Sequence, residues 1–137
     1  MQKDNIYVTK PDLPPLEELY PFLQDIWDSK QLTNCGLFHK KLEKVLCQYL
    51  NVEFISLVSS GTTALLAALN TIEDKRGDII TTPFSFVATS HAIKLLGFKP
   101  KFVDIEYETL NISPSLIEES IDDTTKGIVP VHCFGNS

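Results

Sequence analysis

The spacing of hydrophobic residues changes near residue 54. Before that point apolar side chains recur every three to four positions in two stretches, at Leu16, Leu19, Tyr20, Leu23, Ile26 and Trp27 and at Phe38, Leu42, Val45, Leu46, Tyr49 and Leu50. This spacing predicts two amphipathic helices. Pro21 lies within the first stretch, and because proline lacks a backbone donor we expect that helix to begin at Pro21.

Beyond residue 54 short apolar runs alternate with helical stretches. The pattern predicts strands at 54–58, 78–82, 101–105 and 127–132, separated by helices at 62–72, 86–96 and 114–121. Alternation at this spacing is typical of right-handed βαβ units. We therefore predict an α/β fold with a mostly parallel sheet and flanking helices, comprising a helical segment at 1–53 and the first βαβ units of a larger domain at 54–137.

Two features suggest that the predicted domain is incomplete as it stands. The last strand is followed by only a few residues, where a doubly wound sheet would need a covering helix. The predicted helix at 62–70 is apolar nearly all round, so we expect it to be buried on more than one side, against the sheet and against another layer such as a second subunit. The first feature favours a fragment or a prematurely terminated chain, and the second favours a further packing layer.

Charge and composition narrow the function classes. The 137 residues carry a formal charge of −6, which disfavours a nucleic-acid partner. The sequence has no apolar run of about 18 residues and no secretory leader pattern, so a membrane span is not predicted and cytoplasm is the default location. The three cysteines are far apart, which favours free thiols, and no metal-ligand spacing is present.

The turn Ser59–Thr63 is the clearest candidate for binding chemistry. An apolar run ends at small residues and a helix follows, so the amides of Gly61, Thr62 and Thr63 face outward at a helix N-terminus. Such an end attracts phosphate and other anions. The alternative is an ordinary Ser/Thr cap on a buried helix. The segment is neither a Walker A loop nor a dinucleotide fingerprint.

The carboxyl ends of the predicted strands supply further candidates, because ligands of open α/β sheets bind there. Phe84 and Phe86 follow one strand, and we expect Phe84 to be core and Phe86 to be able to stack on a planar ligand. His132 closes another strand and could line a pocket there, although a hydrogen-bonded or surface histidine is the simpler interpretation. Asp104 and Glu106 could act as bases, although turn formation is the simpler interpretation.

Several segments in correct order resemble the DegT/DnrJ/EryC1/StrS sugar aminotransferases, which are fold type I pyridoxal-phosphate (PLP) enzymes. The matching segments are Ser60–Leu65, Gly77–Thr89, Phe102–Ile105, Thr109–Ile112 and Ile128–His132. The resemblance runs from the Leu32–Asn34 loop to Asn136. The ending Val131–Asn136 looks closest to the branch that acts on dTDP-4-keto-6-deoxyglucose in O-antigen synthesis.

The resemblance implies roles for particular residues. Gly61, Thr62 and Thr63 would hold the PLP phosphate, and Phe86 would stack on the pyridine ring. The loop from Thr33 to Gly36 would border the active site, with Thr33, Asn34 and His132 toward the substrate. The family implies a homodimer that moves an amino group from glutamate to a nucleotide sugar.

The same resemblance implies that no catalytic residue lies in this chain. Family members use a Schiff-base lysine and an acid at the pyridine nitrogen, and both would lie beyond residue 137. Lys94, Lys101 and Lys126 do not match the Schiff-base motif. The expectation is an N-terminal part that is inactive alone. Two alternatives remain open: a non-catalytic remnant or dimerisation module, and a generic phosphate-binding α/β domain.

Overall fold

The computed structural model describes residue 7 and residues 9–135. The chain forms two compact units, at residues 1–57 and 58–137.

The described residues of the first unit form two helices, α1 (Leu16–Ser29) and α2 (Leu37–Leu50). The prediction that the first helix begins at Pro21 is wrong, because Pro21 lies inside α1. The helix starts earlier for two reasons. The carboxylates of Glu17 and Glu18 lie in its first turn, where they interact favourably with the positive end of the helix dipole, and the Glu18 amide donates to Pro15 O at 3.0 Å. Pro21 then removes only one hydrogen bond from an otherwise continuous helix.

Aromatic contacts join the two helices of this unit. The rings of Phe22 and Phe38 meet edge to face, with centroids 5.4 Å apart, and the Lys41 ammonium lies 5.7 Å from the Phe22 ring. Neither helix has a fully buried residue. Large apolar side chains on both helices, such as Tyr20, Trp27 and Tyr49, are exposed.

The second unit is built on a parallel sheet of three strands, β1 (Asp78–Thr81), β2 (Lys99–Phe102) and β3 (Thr125–Val129), in the order β2-β1-β3. Both neighbours of β1 run parallel to it, which confirms the predicted sheet. Ile80 of β1 is in register with Lys101 of β2 and Ile128 of β3. The second and third observed strands begin two residues earlier than predicted.

The predicted strand at 54–58 is not a strand in the structure. Its apolar pattern indicates only that the segment suits a sheet, whereas a strand also needs a neighbour for its backbone groups. Among the described residues no strand pairs with this segment.

Three helices accompany the sheet: α3 (Gly61–Asn70), α4 (Ala88–Leu95) and α5 (Pro114–Ser120). Side chains of successive β1 residues point to opposite faces. Ile79 packs with Leu69 of α3 and Ile93 of α4, while Ile80 packs with Val103 and Ile112, against which Ile117 of α5 rests. The central strand β1 is therefore covered on both faces, whereas Phe102 of β2 and Ile128 of β3 remain exposed.

Helix boundaries follow local signals. Gly97, at φ 91°, follows α4, and its amide donates to Lys94 O at 3.0 Å, as expected for a glycine past a helix end. Ser113 precedes α5 with Pro114 at its first position, also as predicted.

Helix α3 packs on one side only against the described residues, so the expected second layer, such as another subunit, stays a prediction. Leu69 is buried and Leu65 and Leu66 are partly buried against the core, but Ala64, Ala67 and Ala68 are exposed. The apolar sequence of α3 thus leaves an alanine face without a covering element among the described residues.

Candidate functional site

The N-terminus of α3 combines a capped amide with two open ones. Ser60 is the N-cap, and its Oγ accepts the Thr63 amide at 3.2 Å and lies 3.0 Å from Thr63 Oγ1. The Ala64 amide donates to Ser60 O at 3.0 Å. Among the described residues the amides of Gly61 and Thr62 have no acceptor. The ordinary cap is therefore present, yet it uses only the Thr63 amide and leaves its two neighbours for a ligand.

The space in front of Gly61 is open. A Cβ placed on this glycine would have no heavy atom within 4 Å apart from its own neighbours in the helix and chain. Ser60, Gly61, Thr62 and Thr63 are all exposed. An anion can therefore approach these amides without displacing a side chain.

The direction of α3 places this N-terminus toward the carboxyl edge of the sheet. At the other end of the helix, Lys75 Nζ donates to Leu69 O at 3.0 Å and Asn70 O at 2.9 Å, and it lies 5.4 Å from the Phe98 ring. Phe98 immediately precedes β2, so the C-terminus of α3 lies at the amino edge of the sheet. Ten helical residues extend about 15 Å, which carries Gly61 toward the opposite edge.

The segment after β1 lies at that carboxyl edge. Thr81 and Thr82 are buried, and Thr81 Oγ1 donates to Val129 O at 2.8 Å, which ties the ends of β1 and β3 together. Thr82 Oγ1 accepts the Phe84 amide at 3.1 Å and starts the turn. Phe86 then projects with 79 % of its surface exposed, whereas Phe84, expected to be core, is 41 % exposed.

The segment after β3 meets this turn. Cys133 Sγ donates to Phe84 O at 3.3 Å, and the rings of Phe134 and Phe84 meet edge to face at 6.4 Å. Phe86 and Cys133 line the same shallow depression. His132 is exposed in this segment, immediately before Cys133. The sequence analysis missed Cys133 and Phe134. Cys133 and Phe84 are 49 positions apart, and they meet only because β3 lies next to β1 in the sheet.

Thr33 and Asn34 lie in the first unit, in the loop between α1 and α2. They line a concave surface together with Cys35, Gly36 and His39. Asn34 and Cys35 both have left-handed backbone conformations, at φ 59° and 55°. Consecutive left-handed residues are uncommon outside glycine and often mark a constrained turn.

The lysines of the second unit are engaged elsewhere or placed away from the carboxyl edge. Lys101 Nζ pairs with Asp122 Oδ2 at 2.7 Å, and Lys126 Nζ pairs with Asp74 Oδ2 at 3.2 Å. Lys75 binds the end of α3, Lys99 begins β2, and Lys94 lies in the last turn of α4. Whether the Schiff-base lysine lies outside these residues stays a prediction.

Two carboxylates in this unit have clearly shifted pKa values. Arg76, through its backbone amide first and then its side chain, and Lys126 lower the pKa of Asp74 from 3.8 to about 2. The Lys101 ammonium, with Thr124 donors, lowers the pKa of Asp122 well below its usual range. Both groups flank the amino ends of the strands, so they stabilise that edge and do not belong to the candidate site.

Asp104 and Glu106 serve a turn. Asp104 Oδ1 accepts the Ile105 amide at 2.8 Å, and Glu106 O accepts the Leu110 amide at 2.9 Å. This supports the simpler of the two interpretations. Within the described part of the chain, no cluster of three or more His, Cys, Asp or Glu residues could hold a metal. Every helix in residues 7 and 9–135 is too short or too polar to cross a bilayer.

The fold and site define a class: a parallel α/β domain with a helix N-terminus and an aromatic loop directed to the carboxyl edge of its sheet. The sequence profile of the DegT/DnrJ/EryC1/StrS aminotransferase family matches residues 16–137. The chain belongs to this family, which confirms the resemblance drawn from its motifs.

Two relatives of this chain have the same assigned activity. The chain is 56 % identical over 131 residues to a dTDP-4-amino-4,6-dideoxy-D-glucose transaminase of Shigella dysenteriae, covering 96 % of this chain and 35 % of the relative. It is 49 % identical over 134 residues to the Escherichia coli protein of the same name, covering 98 % and 36 %. The chain thus spans about a third of the length of these relatives.

Solved structures share the fold. PseC of Helicobacter pylori, an aminotransferase involved in pseudoaminic acid biosynthesis, matches with TM-score 0.87 and 34 % identity, covering 98 % of this chain and 36 % of that one. NtdA of Bacillus subtilis, solved with bound cofactor PMP, matches with TM-score 0.81 and 34 % identity, covering 98 % and 33 %. The predicted fold class is therefore confirmed for a portion of such a domain.

Proposed function

We propose that this chain forms the phosphate-binding and ring-contacting part of a PLP-dependent sugar-nucleotide aminotransferase. The whole enzyme would transfer an amino group from glutamate to a dTDP-4-keto-6-deoxy sugar, for O-antigen or related polysaccharide synthesis in the cytoplasm. Family membership and the identities to the two dTDP-amino-sugar transaminases support this assignment.

The open N-terminus of α3 is the observation that carries the proposal. Phosphate needs several donors at once, and among the described residues the amides of Gly61 and Thr62 have no acceptor at the positive end of a helix dipole. The Thr62 hydroxyl can add a further donor. Thr63 contributes indirectly, because its amide and hydroxyl hold Ser60 and so fix the first turn. The residues present therefore fit the phosphate of PLP.

The aromatic loop fits the other end of the cofactor. Phe86 is exposed at the carboxyl edge, toward which the N-terminus of α3 also points. A flat aromatic ring can hold a pyridine ring by stacking and keep water from one of its faces. When bound, PLP supplies the electron sink that amino transfer requires. In this role the chain binds and orients the cofactor.

Substrate and partner contacts extend the proposal. His132 immediately precedes Cys133, which contacts the aromatic loop, and would contact a polar sugar substituent. Thr33 and Asn34, on a concave loop of the first unit, would contact the nucleotide sugar. The exposed alanine face of α3 offers small side chains for close packing of a second subunit, which supports a homodimer.

Turnover would depend on residues outside this chain. No lysine of the second unit that the structure describes lies at the carboxyl edge, and the relatives are about three times as long. We therefore infer that these 137 residues bind PLP without catalysing transamination alone.

A comparison of PLP with pyridoxal tests the function. The two differ only in the phosphate, so titration of the purified chain, followed by absorbance, isolates the contribution of the α3 N-terminus. We expect PLP to bind at least about tenfold more tightly, since two charge-assisted hydrogen bonds distinguish the ligands. Equal affinity for the two compounds would remove the basis of the proposal.

A further inference from the structure

The turn Cys133–Gly135 contacts the loop that carries Phe86 in two ways. The Cys133 thiol donates to Phe84 O at 3.3 Å, and the Phe134 ring packs edge to face on the Phe84 ring, with centroids 6.4 Å apart at 65°. One contact fixes the backbone of Phe84 and the other fixes its side chain. Both act two residues before Phe86.

The backbone of this turn is constrained. Phe134 has φ 56° and ψ 18°, a left-handed conformation that is rare for a bulky aromatic residue, and Gly135 follows at φ 80°. Such conformations persist where surrounding contacts determine them, and they concentrate at functional sites. Here the left-handed residue is the one whose ring meets Phe84.

The loop also has hydrogen bonds of its own, and among these the Ser85 hydroxyl donates to Thr82 O at 3.5 Å and to Phe86 O at 3.3 Å. Thr82 Oγ1 accepts the Phe84 amide at 3.1 Å, and Phe86 O accepts the Thr89 amide at 3.1 Å. Phe84 is therefore held between Thr82 and Cys133. The Phe86 ring has no ring partner among the described residues, so its position depends on the loop backbone.

We propose that Cys133 and Phe134 are positioning residues that hold the Phe84–Phe86 loop so that the Phe86 ring is presented to a planar ligand. The part of this inference that concerns the ligand rests on the proposed function, in which that ligand is PLP. Neither residue touches the phosphate site at Gly61. Loss of either contact should weaken ring binding and leave phosphate binding unchanged.

Amide hydrogen exchange of the full chain without ligand tests the positioning itself. In Cys133→Ala we expect exchange at the Phe84 and Thr89 amides to accelerate about threefold or more, the effect of losing one weak hydrogen bond. Cys133→Ser keeps a donor and should restore much of the protection. Cys47→Ala is the matched control, because the Cys47 thiol also donates to a backbone carbonyl, that of Glu53, in the other unit. Unchanged exchange in Cys133→Ala and Phe134→Leu would overturn the proposal.

Ligand titration then separates positioning from general stability. We expect Cys133→Ala and Phe134→Leu to weaken PLP binding about threefold or more, while the shift of the Gly61 amide resonance by inorganic phosphate keeps its concentration dependence. Parallel losses for both ligands would show a merely structural role and overturn the proposal. A wild-type chain without affinity for PLP would instead overturn the proposed function, and the exchange rates alone would then decide whether Cys133 and Phe134 hold the loop.

Discussion

Replacing Gly61 with alanine should separate stability from ligand binding. Gly61 is the first residue of α3, its φ lies outside the left-handed region, and an added methyl group meets open space. Alanine restricts the unfolded chain more than glycine does, so the free energy of unfolding of the second unit should rise by about 0.4–1 kcal/mol. Urea denaturation followed by circular dichroism measures this change.

The same methyl group should impair phosphate binding. Alanine keeps the Gly61 amide, but its methyl group would stand beside that amide and hinder the close approach of a phosphate oxygen. A hydrogen bond to a charged oxygen that is lost in this way costs up to about 1.5–3 kcal/mol, or roughly 10- to 100-fold in affinity. PLP titration under the conditions of the unfolding experiment gives the comparison. Gly61→Ala is thus predicted to stabilise the second unit and to weaken its binding of PLP.

The substitution Ala67→Gly is a control on the same helix, because it should lower stability without affecting the binding of PLP. Ala67 is exposed within α3, so Ala67→Gly should destabilise the unit by about 1 kcal/mol and leave PLP affinity unaltered. If Gly61→Ala binds PLP as tightly as the wild type, the phosphate does not come close to the backbone at Gly61. If it destabilises the fold, the space before Gly61 is not open.

Two further predictions concern the amino edge of the sheet. The pKa of Asp74 lies near 2 in the folded state, below its value of 3.8 when unperturbed, so its stabilising effect is complete above about pH 4 and is lost as the pH falls toward 2. Asp74→Asn should lower stability at pH 7 and flatten the acid-induced loss between pH 4 and 2 in unfolding curves, whereas Asp123→Asn should change neither; an unchanged acid profile in Asp74→Asn would contradict the assignment. Gly77→Ala would place its methyl group against Thr124 O and should destabilise the unit by about 1–3 kcal/mol in the same assay. This effect is opposite in sign to that of Gly61→Ala, and an unchanged stability would contradict the contact with Thr124 O.

The parallel sheet was predictable because its signals are local. Ile79 and Ile80 form a continuous apolar strand bounded by Gly77 and Pro83, and Gly97 and Ser113 mark helix ends through their own backbone preferences. The segment 54–58 carries an equally good strand pattern but has no described partner. Pairing is a property of two segments, so one of them cannot reveal it. The prediction that the first helix begins at Pro21 failed because the sequence shows the missing donor but not the tertiary structure around it, in which α1 continues on both sides of Pro21.

The candidate site was predictable in part. A helix start at Ser60–Gly61 follows from residue types alone, and the structure adds that Ser60 occupies the Thr63 amide and leaves those of Gly61 and Thr62. The contact of Cys133 with Phe84 could not be inferred, because it depends on β3 lying next to β1 in the sheet. Whether Thr33, Asn34 and His132 meet a substrate stays a prediction.

The ion pairs of Lys101 and Lys126 have a practical consequence for experiments with an aldehyde ligand. Amines held by carboxylates at one rim of the sheet are poor traps for a carbonyl group bound at the other rim. Pyridoxal phosphate bound by the second unit should therefore keep the spectrum of an unreacted aldehyde and leave on dialysis. Borohydride should attach pyridoxal phosphate covalently only at low yield, to surface amines that react with it non-specifically.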